Sequence, residues 1–357
     1  MTDPVVSIIM RSFNEGWALR ETLPALRAQE YSNWELIVID SGSTDGSVEL
    51  VRAAQPRHFV QIQPHEYNPS RVMNQGMQLA RSDFCIFLNA DATPQGANWL
   101  RPLVTGLVDP CTAAVFGRQV PRPDCWAVYA CDYERCFGPG RESAKWDHFF
   151  SMVSSGLRKD IWAKRGFLEK MQYSEDDEYT RWCRAQGYRI VYVPESVVMH
   201  SHNYTVSQSY KRGFGEGRAV AAVWSGKPTD FNFLRTVLLG WLNDFRRDLA
   251  FCARTRRWVE LPQAARRGPQ NDRCSGHNSD GGNRERTTFV GTPEPREAFH
   301  RRWERGTGNS SGENMPEGPG RRSTLDSRAQ AGRPSAGRRL RSRRRGRVKD
   351  RDRRPTL

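Results

Sequence analysis

Apolar residues in the first hundred positions fall into short β-branched runs separated by stretches of helical spacing. Val5-Val-Ser-Ile-Ile-Met10 predicts a buried strand. Gly16 to Gln29 places Leu19, Leu23 and Leu26 on one face and predicts a helix. Glu35-Leu-Ile-Val-Ile-Asp40 predicts a second strand, and Ser41 to Ser47 a turn feeding a helix near 47–55. A short strand over His58–Gln63, a helix over Pro69–Arg81 and a strand over Asp83–Asn89 complete the pattern. Strands without polar alternation are buried on both faces. The order therefore predicts an α/β fold: a single Rossmann-like, mostly parallel sheet sandwiched by helices, with right-handed connections.

Residues beyond 95 are less regular. Ala113–Gln119 reads as a strand, and Trp126–Trp146, rich in aromatics and charge, as a loop-rich acceptor surface. Ser174 to Gly187 predicts a helix capped by Ser174, boxed by Asp177 and ended by Gly187. Tyr188–Val193 alternates as a strand stopped by Pro194. Within 231–251, Leu234, Leu238, Trp241, Leu242, Phe245 and Leu249 share a helical face. This reads first as an ordinary packed helix and second as a membrane-surface helix. From about 265 the chain is rich in Arg, Gly, Pro and Ser, and should be a disordered tail. The expected organisation is a domain over 1–210, with a nucleotide-binding half (1–95) and an acceptor half (96–210). A helical extension (211–264) and the tail (265–357) follow.

The net charge of +15 changes little, because residues 264–357 alone carry 24 basic and 11 acidic residues. Arg338 to Arg347 suits nucleic acid or anionic lipid, or is simply a solvated tail, and nucleic acid is not the expected partner. Eight cysteines without a Cys-x-x-Cys pair read as reduced thiols of a cytoplasmic protein. The start of the chain enters a strand directly and does not read as a signal peptide. No apolar run reaches the roughly 18 residues of a membrane span.

Asp40 and Asp91 both follow apolar strands, at the sheet edge where open α/β folds bind ligands. Asp91 is placed to hold a divalent cation, and through it a diphosphate. Two solvated turn carboxylates are the alternative for each aspartate taken alone.

Val6-Ser-Ile-Ile-Met-Arg-Ser-Phe-Asn-Glu15, Ile39-Asp-Ser-Gly-Ser-Thr-Asp-Gly46, Leu88-Asn-Ala-Asp91 and Glu175-Asp-Asp-Glu178 resemble glycosyltransferase family 2, the inverting GT-A transferases, over roughly residues 5–205. Glu66 to Gly76 and Leu88 to Pro94 resemble its rhamnosyltransferase-like bacterial subgroup. The resemblance implies transfer of a sugar from a nucleotide-diphosphate sugar to a saccharide or lipid-linked acceptor, assisted by Mg²⁺ or Mn²⁺. It also implies roles. Ser12, Asn14 and Glu15 line the nucleotide pocket, Asp40 recognises the base, and Arg71 contacts base or phosphate. Asn89 stands near the ribose, where the family usually has the first Asp of Asp-x-Asp. Asp91 ligates metal, with His200 or alternatively His202 as a second ligand. Asp176 is the general base; without the resemblance, its acidic neighbours merely complement a helix end. Lys211, Arg212 and Arg218 suit a diphosphate clamp on a mobile glycine-rich segment, or an exposed basic turn. Peripheral contact with the inner face of the membrane follows from the amphipathic stretch.

A metal-dependent nucleotidyltransferase is the rival enzyme, but it would usually show a Gly-rich basic loop after the first strand. Arg11-Ser-Phe-Asn-Glu-Gly16 has one glycine. A nucleic-acid-binding module is the rival outside enzymes, and rests on the tail alone.

Overall fold

The computed structural model describes residues 3–146, 148–223 and 238–262, apart from the side chains of 219–223. The first half alternates β1 (Val6–Ser12), α1 (Gly16–Arg27), β2 (Trp34–Asp40), α2 (Ser47–Ala53), β3 (His58–Gln61), α3 (Pro69–Leu79) and β4 (Phe84–Asn89). Then come β5 (Thr93–Pro94), α4 (Leu100–Leu107), β6 (Thr112–Val120), α5 (Ala127–Phe137), β7 (Ser154–Arg158) and α6 (Lys159–Trp162). α7 (Glu175–Ala185), β8 (Arg189–Met199), α8 (Val206–Val223) and α9 (Gly240–Thr255) follow.

The strands form one sheet in the order β3-β2-β1-β4-β7-β6-β8-β5. β3, β2, β1 and β4 run parallel, so Ser12, Asp40 and Asn89 end on a common edge. β7 is antiparallel to β4 and to β6, and β8 runs parallel to β6. The expected parallel sheet is therefore parallel in its first half and mixed beyond it.

Successive residues of β1 face opposite sides, and both sides are covered. Ile8 and Met10 join Leu19, Leu23 and Leu26 of α1 and Leu103 of α4. Ile9 joins Ile37, Met73 and Met77 of α3, and Tyr179 and Cys183 of α7. Gly76 lets α3 lie directly on β1, since a Cβ there would stand 2.4 Å from Ile9 Cγ2.

Several expectations beyond residue 95 are corrected. The segment taken as a loop-rich surface contains α5, with Ala127, Ala130 and Cys131 buried at helical spacing. β8 does not stop at Pro194. Its register with β6 jumps from Gly117↔Val193 to Arg118↔Val197, so Pro194 sits in a bulge where its missing N–H breaks no ladder bond. Ser174 does not cap α7 with its side chain and instead takes a left-handed backbone, φ 57°. The glycine-rich basic segment is neither turn nor loop but lies within α8, where Gly215 lets the Tyr173 ring approach.

α9 is packed, but through a face other than the expected one, with Trp241 and Phe245 half-buried. Its buried residues are Asp244, Asp248, Phe251 and Cys252, while Leu238, Leu242 and Leu249 are exposed. Leu234 and the tail from 265 lie outside the described residues. No helix among the described residues is long and apolar enough to cross a membrane.

Candidate active site

Two loops at the parallel edge are zipped together by short polar side chains. The Asn14 amide donates to Ser43 Oγ (2.8 Å), the Glu15 amide to Ser47 Oγ (3.0 Å) and the Gly16 amide to Asp45 Oδ2 (2.9 Å). Asn14 Oδ1 accepts from the Thr44 amide at 2.8 Å, from a left-handed backbone that asparagine tolerates well. Gly42 and Gly46 take φ of 85° and 90°, which explains the glycines of the Ile39–Gly46 motif.

Asp40 is fully buried. Oδ1 accepts from the amides of Gly42 and Ser43 and from Gln61 Nε2, and Oδ2 accepts from Ser43 Oγ. It anchors the loop, and among the described residues Oδ2 accepts one hydrogen bond only. Ser12 Oγ, in contrast, is buried with no hydrogen-bond partner.

Asp91 lies two residues past β4 and is 2% exposed. The carboxyl ends of β4 and β8 bring it to His200 and His202. Asp91 Oδ2 is 3.4 Å from His200 Nε2 and 3.2 Å from His202 Nε2, and the two Nε2 atoms are 3.1 Å apart. Gln119 fixes the protonation of this cluster. Gln119 Nε2 donates to Ser151 Oγ (2.7 Å), which turns Oε1 toward His200 Nδ1 at 2.9 Å. With Oε1 as the acceptor, Nδ1 donates to Gln119, and Nε2 faces Asp91.

One carboxylate oxygen and two imidazole nitrogens thus converge, and a proton or a cation must sit among them. Metal–ligand bonds of about 2.1 Å at right angles place neighbouring donors roughly 3.0 Å apart, close to the observed spacing. The donor set fits a divalent ion that accepts both oxygen and imidazole nitrogen.

The electrostatics agree. Burial pushes the Asp91 carboxyl up, but the hydrogen bond from His200 and the two nearby histidines more than offset this and hold it below the usual range. Burial, then His200, lowers His202, keeping it a neutral donor. Glu15 is pushed up to about 8, first by burial and then by Asp91.

Both histidines that sequence reasoning offered as alternatives are thus in the cluster. The remaining expected residues are more scattered. Asn89 Oδ1 accepts from Arg11 Nη2 at 2.9 Å. Arg71 lines an open cavity of about 350 Å³ with Ile62, Glu66 and Asn74, and its Nε lies 3.6 Å from Glu169 Oε2. Asp176 sits in the first turn of α7 and is half-buried. Arg212 of α8 stacks over Tyr204, whose ring packs on His202, and it feels the charge of Asp176. Arg212 thus packs on the same tyrosine as His202 and lies within electrostatic reach of Asp176. Lys211 and Arg218 are exposed.

Three contributors were missed. Besides Gln119, Tyr133 of α5 places its hydroxyl 3.1 Å from His200 Nδ1. Arg122, 8% exposed, donates to the Asp91 carbonyl at 2.8 Å and stacks on Trp17. No spacing in the sequence marks them, because each reaches the site from a different strand end or helix.

A half-parallel sheet whose carboxyl edge carries an Asp–His–His cluster and a zipped polar loop pair defines a GT-A fold. The model of glycosyl transferase family 2 matches residues 7–172. The O-antigen chain rhamnosyltransferase WbaN of Salmonella anatum is 32% identical over 230 residues, 60% of this chain and 71% of that one. RfbN of Salmonella typhimurium, also an O-antigen chain rhamnosyltransferase, is 30% identical over 227 residues, 59% and 71% of the two chains. Among solved structures, the mannosyltransferase PcManGT from Pyrobaculum calidifontis, in complex with GDP-Man and Mn²⁺, superposes with a TM-score of 0.51 at 21% identity. That match covers 73% of this chain and 78% of that one. The chain belongs to glycosyltransferase family 2 and is a glycosyltransferase of the rhamnosyltransferase-like kind.

Proposed function

We propose that this enzyme moves a sugar, a deoxyhexose in the manner of its relatives, from a nucleotide-diphosphate sugar to a saccharide hydroxyl, with inversion at the anomeric carbon, in cell-envelope polysaccharide synthesis. The observation that carries this reading is the convergence of Asp91, His200 and His202 beside the polar loop pair. A divalent cation held there, Mn²⁺ more readily than Mg²⁺ given two imidazoles, would offset the diphosphate charge. Ser12, Asn14 and Glu15 face the nucleotide from the β1 loop, Asn89 the ribose and Arg71 the base or phosphate, with Asp40 holding the opposing loop. Arg212 supplies guanidinium donors to the leaving diphosphate. Asp176, at the positive end of α7, takes the proton of the acceptor hydroxyl as that oxygen attacks. Residues 1–95 form the donor half and 96–210 the acceptor half. The acceptor is a saccharide, free or carried on a lipid at the inner face of the membrane.

A thermal-shift screen of UDP, GDP, dTDP and CDP, each with and without Mn²⁺, tests this on the wild type and on Asp91→Ala. A ligand of the folded state raises the melting temperature. One diphosphate should do so only with metal, and only in the wild type. A cooperative melt unmoved by every nucleotide would remove the donor reading.

A further inference from the structure

α9 packs on α5 through Phe251 and Cys252 and leaves an apolar stripe facing outward. Its two carboxylates, Asp244 and Asp248, are buried, and Arg247 donates to Asp244. Its outward face carries Leu242 (41% exposed) and Leu249 (38%), and Leu239 (55%) precedes its first turn. Arg246 interrupts this stripe, and Ala250 and Ala253 extend it. Past the helix, Arg256, Trp258 and Val259 are exposed, Val259 at 93%. Among the described residues, 238 to 259 expose no carboxylate side chain; every outward charge is an arginine, of which Arg254 pairs with Glu134 of α5.

α8 repeats the pattern. Val206, Tyr210 and Phe214, four residues apart, are exposed, with Lys211 beside them. α8 begins two residues after Tyr204, and α9 rests on α5, which carries Tyr133 to His200. The apolar faces thus belong to elements that frame the site.

We propose that the outward face of α9, with the Trp258–Val259 corner, is a docking surface for an anionic lipid bilayer. The carboxylates beside this face, Glu134, Glu142 and Glu260, lie against Arg254, Arg247 and Arg257, so an apolar stripe with Arg246 and Arg256 exposed along it matches the interface of such a membrane. Leucines and tryptophan enter the acyl boundary while arginines reach phosphate headgroups. Docking would bring the neighbouring cleft to a lipid-borne saccharide, and its purpose, though not its occurrence, rests on the acceptor reading proposed for the enzyme.

Flotation of the full chain tests this, using phosphatidylcholine vesicles with and without about one-third phosphatidylglycerol. The protein should float with the anionic vesicles and remain behind with the neutral ones. Leu242→Ser with Leu249→Ser should weaken partition by about tenfold or more. Arg246→Glu should weaken it less, with the difference shrinking at high salt. If the double variant melts lower than the wild type, Val259→Asp decides, because so exposed a side chain supports no packing. Partition unchanged by these substitutions would overturn the proposal, since the basic tail would then do the binding. A wild-type dimer that the leucine substitutions split would also overturn it, by showing that the face is covered by a second copy. The diphosphate-induced thermal shift, measured on the same leucine variant, should be retained. Its absence in both proteins would count against the donor reading and leave the partition result standing.

Discussion

Gln119 Oε1 lies 2.9 Å from His200 Nδ1, while the other ring nitrogen, Nε2, faces Asp91. Ser151 holds the amide so that its oxygen points inward. Gln119→Leu should therefore leave His200 in place but free to take the other tautomer. Loss of such an orienting partner typically costs about 10- to 100-fold in metal affinity. Mn²⁺ titration followed by electron paramagnetic resonance measures this directly. Wild-type affinity in Gln119→Leu would mean that the tautomer is set elsewhere.

The two histidines are not redundant. His200 is buried and held by Gln119, and its ring packs edge-on to Tyr133, whereas His202 is more exposed and lies against Tyr204. His200→Ala should abolish the Mn²⁺-dependent thermal shift, as Asp91→Ala should. His202→Ala should weaken it by a smaller factor, because a water can fill the more open position. Equal, full loss in both would show that the ion needs all three side chains.

Glu15 gives the cluster a pH signature. Its carboxyl is pushed up to about 8 in the folded protein, chiefly by burial and then by Asp91, from 4.5 when unfolded. Between these values the folded chain holds a proton that the unfolded chain has released. The stability this gives is complete below about 4.5 and is lost as pH rises through 8. In the presence of a chelator, the melting temperature of the wild type should fall relative to that of Glu15→Gln between pH 5 and 9. A cation at Asp91 favours the charged carboxylate, so added Mn²⁺ should shrink the difference. Parallel melting curves across the range would show that Glu15 does not titrate there.

The first half of the fold was legible because its strands are buried on both faces and leave no polar alternation to confuse with helix. Val6–Ser12, Trp34–Asp40 and Phe84–Asn89 fall within a residue or two of their expected ends. Beyond residue 95 the signals were weaker. β7 is five residues long and holds Ser154, Ser155 and Gly156, and only its neighbours β4 and β6 make it a strand. The site divided in the same way. Asp91 and His200 stood out as chemistry-bearing residues at strand ends. Gln119, Tyr133 and Arg122 act through contacts across 31 to 81 residues of sequence, which no local pattern encodes.

Among the described glycines of residues 1–95, Gly76 has the least room for a side chain. In a helix interior, alanine for glycine is usually worth about 1 kcal/mol in favour of the helix. Here the new methyl would lie 2.4 Å from Ile9 Cγ2, on a fully buried strand that cannot recede. Overpacking of this kind costs about 1–3 kcal/mol and should outweigh the propensity gain. Gly76→Ala should therefore lower the denaturation midpoint in urea. A rise would mean that α3 can lift from β1.

Asp176 separates binding from chemistry. It stands in the first turn of α7 among Glu175, Asp177 and Glu178, so a purely structural role would be to complement the helix dipole. Asparagine keeps the size and most of the hydrogen bonding but cannot take a proton. If Asp176 is the base, Asp176→Asn should lower kcat by about 10²- to 10⁴-fold while leaving the donor-induced thermal shift and melting temperature near wild type. If it only complements the dipole, the melting temperature should fall slightly, and so should that of Asp177→Asn, with kcat little changed in either. The neighbouring substitution makes the two roles separable: both remove one charge from the same helix turn, and Asp176 lies within electrostatic reach of Arg212. A kcat loss shared equally by Asp177→Asn would assign the effect to helix charge and leave the base to be sought elsewhere in the cleft.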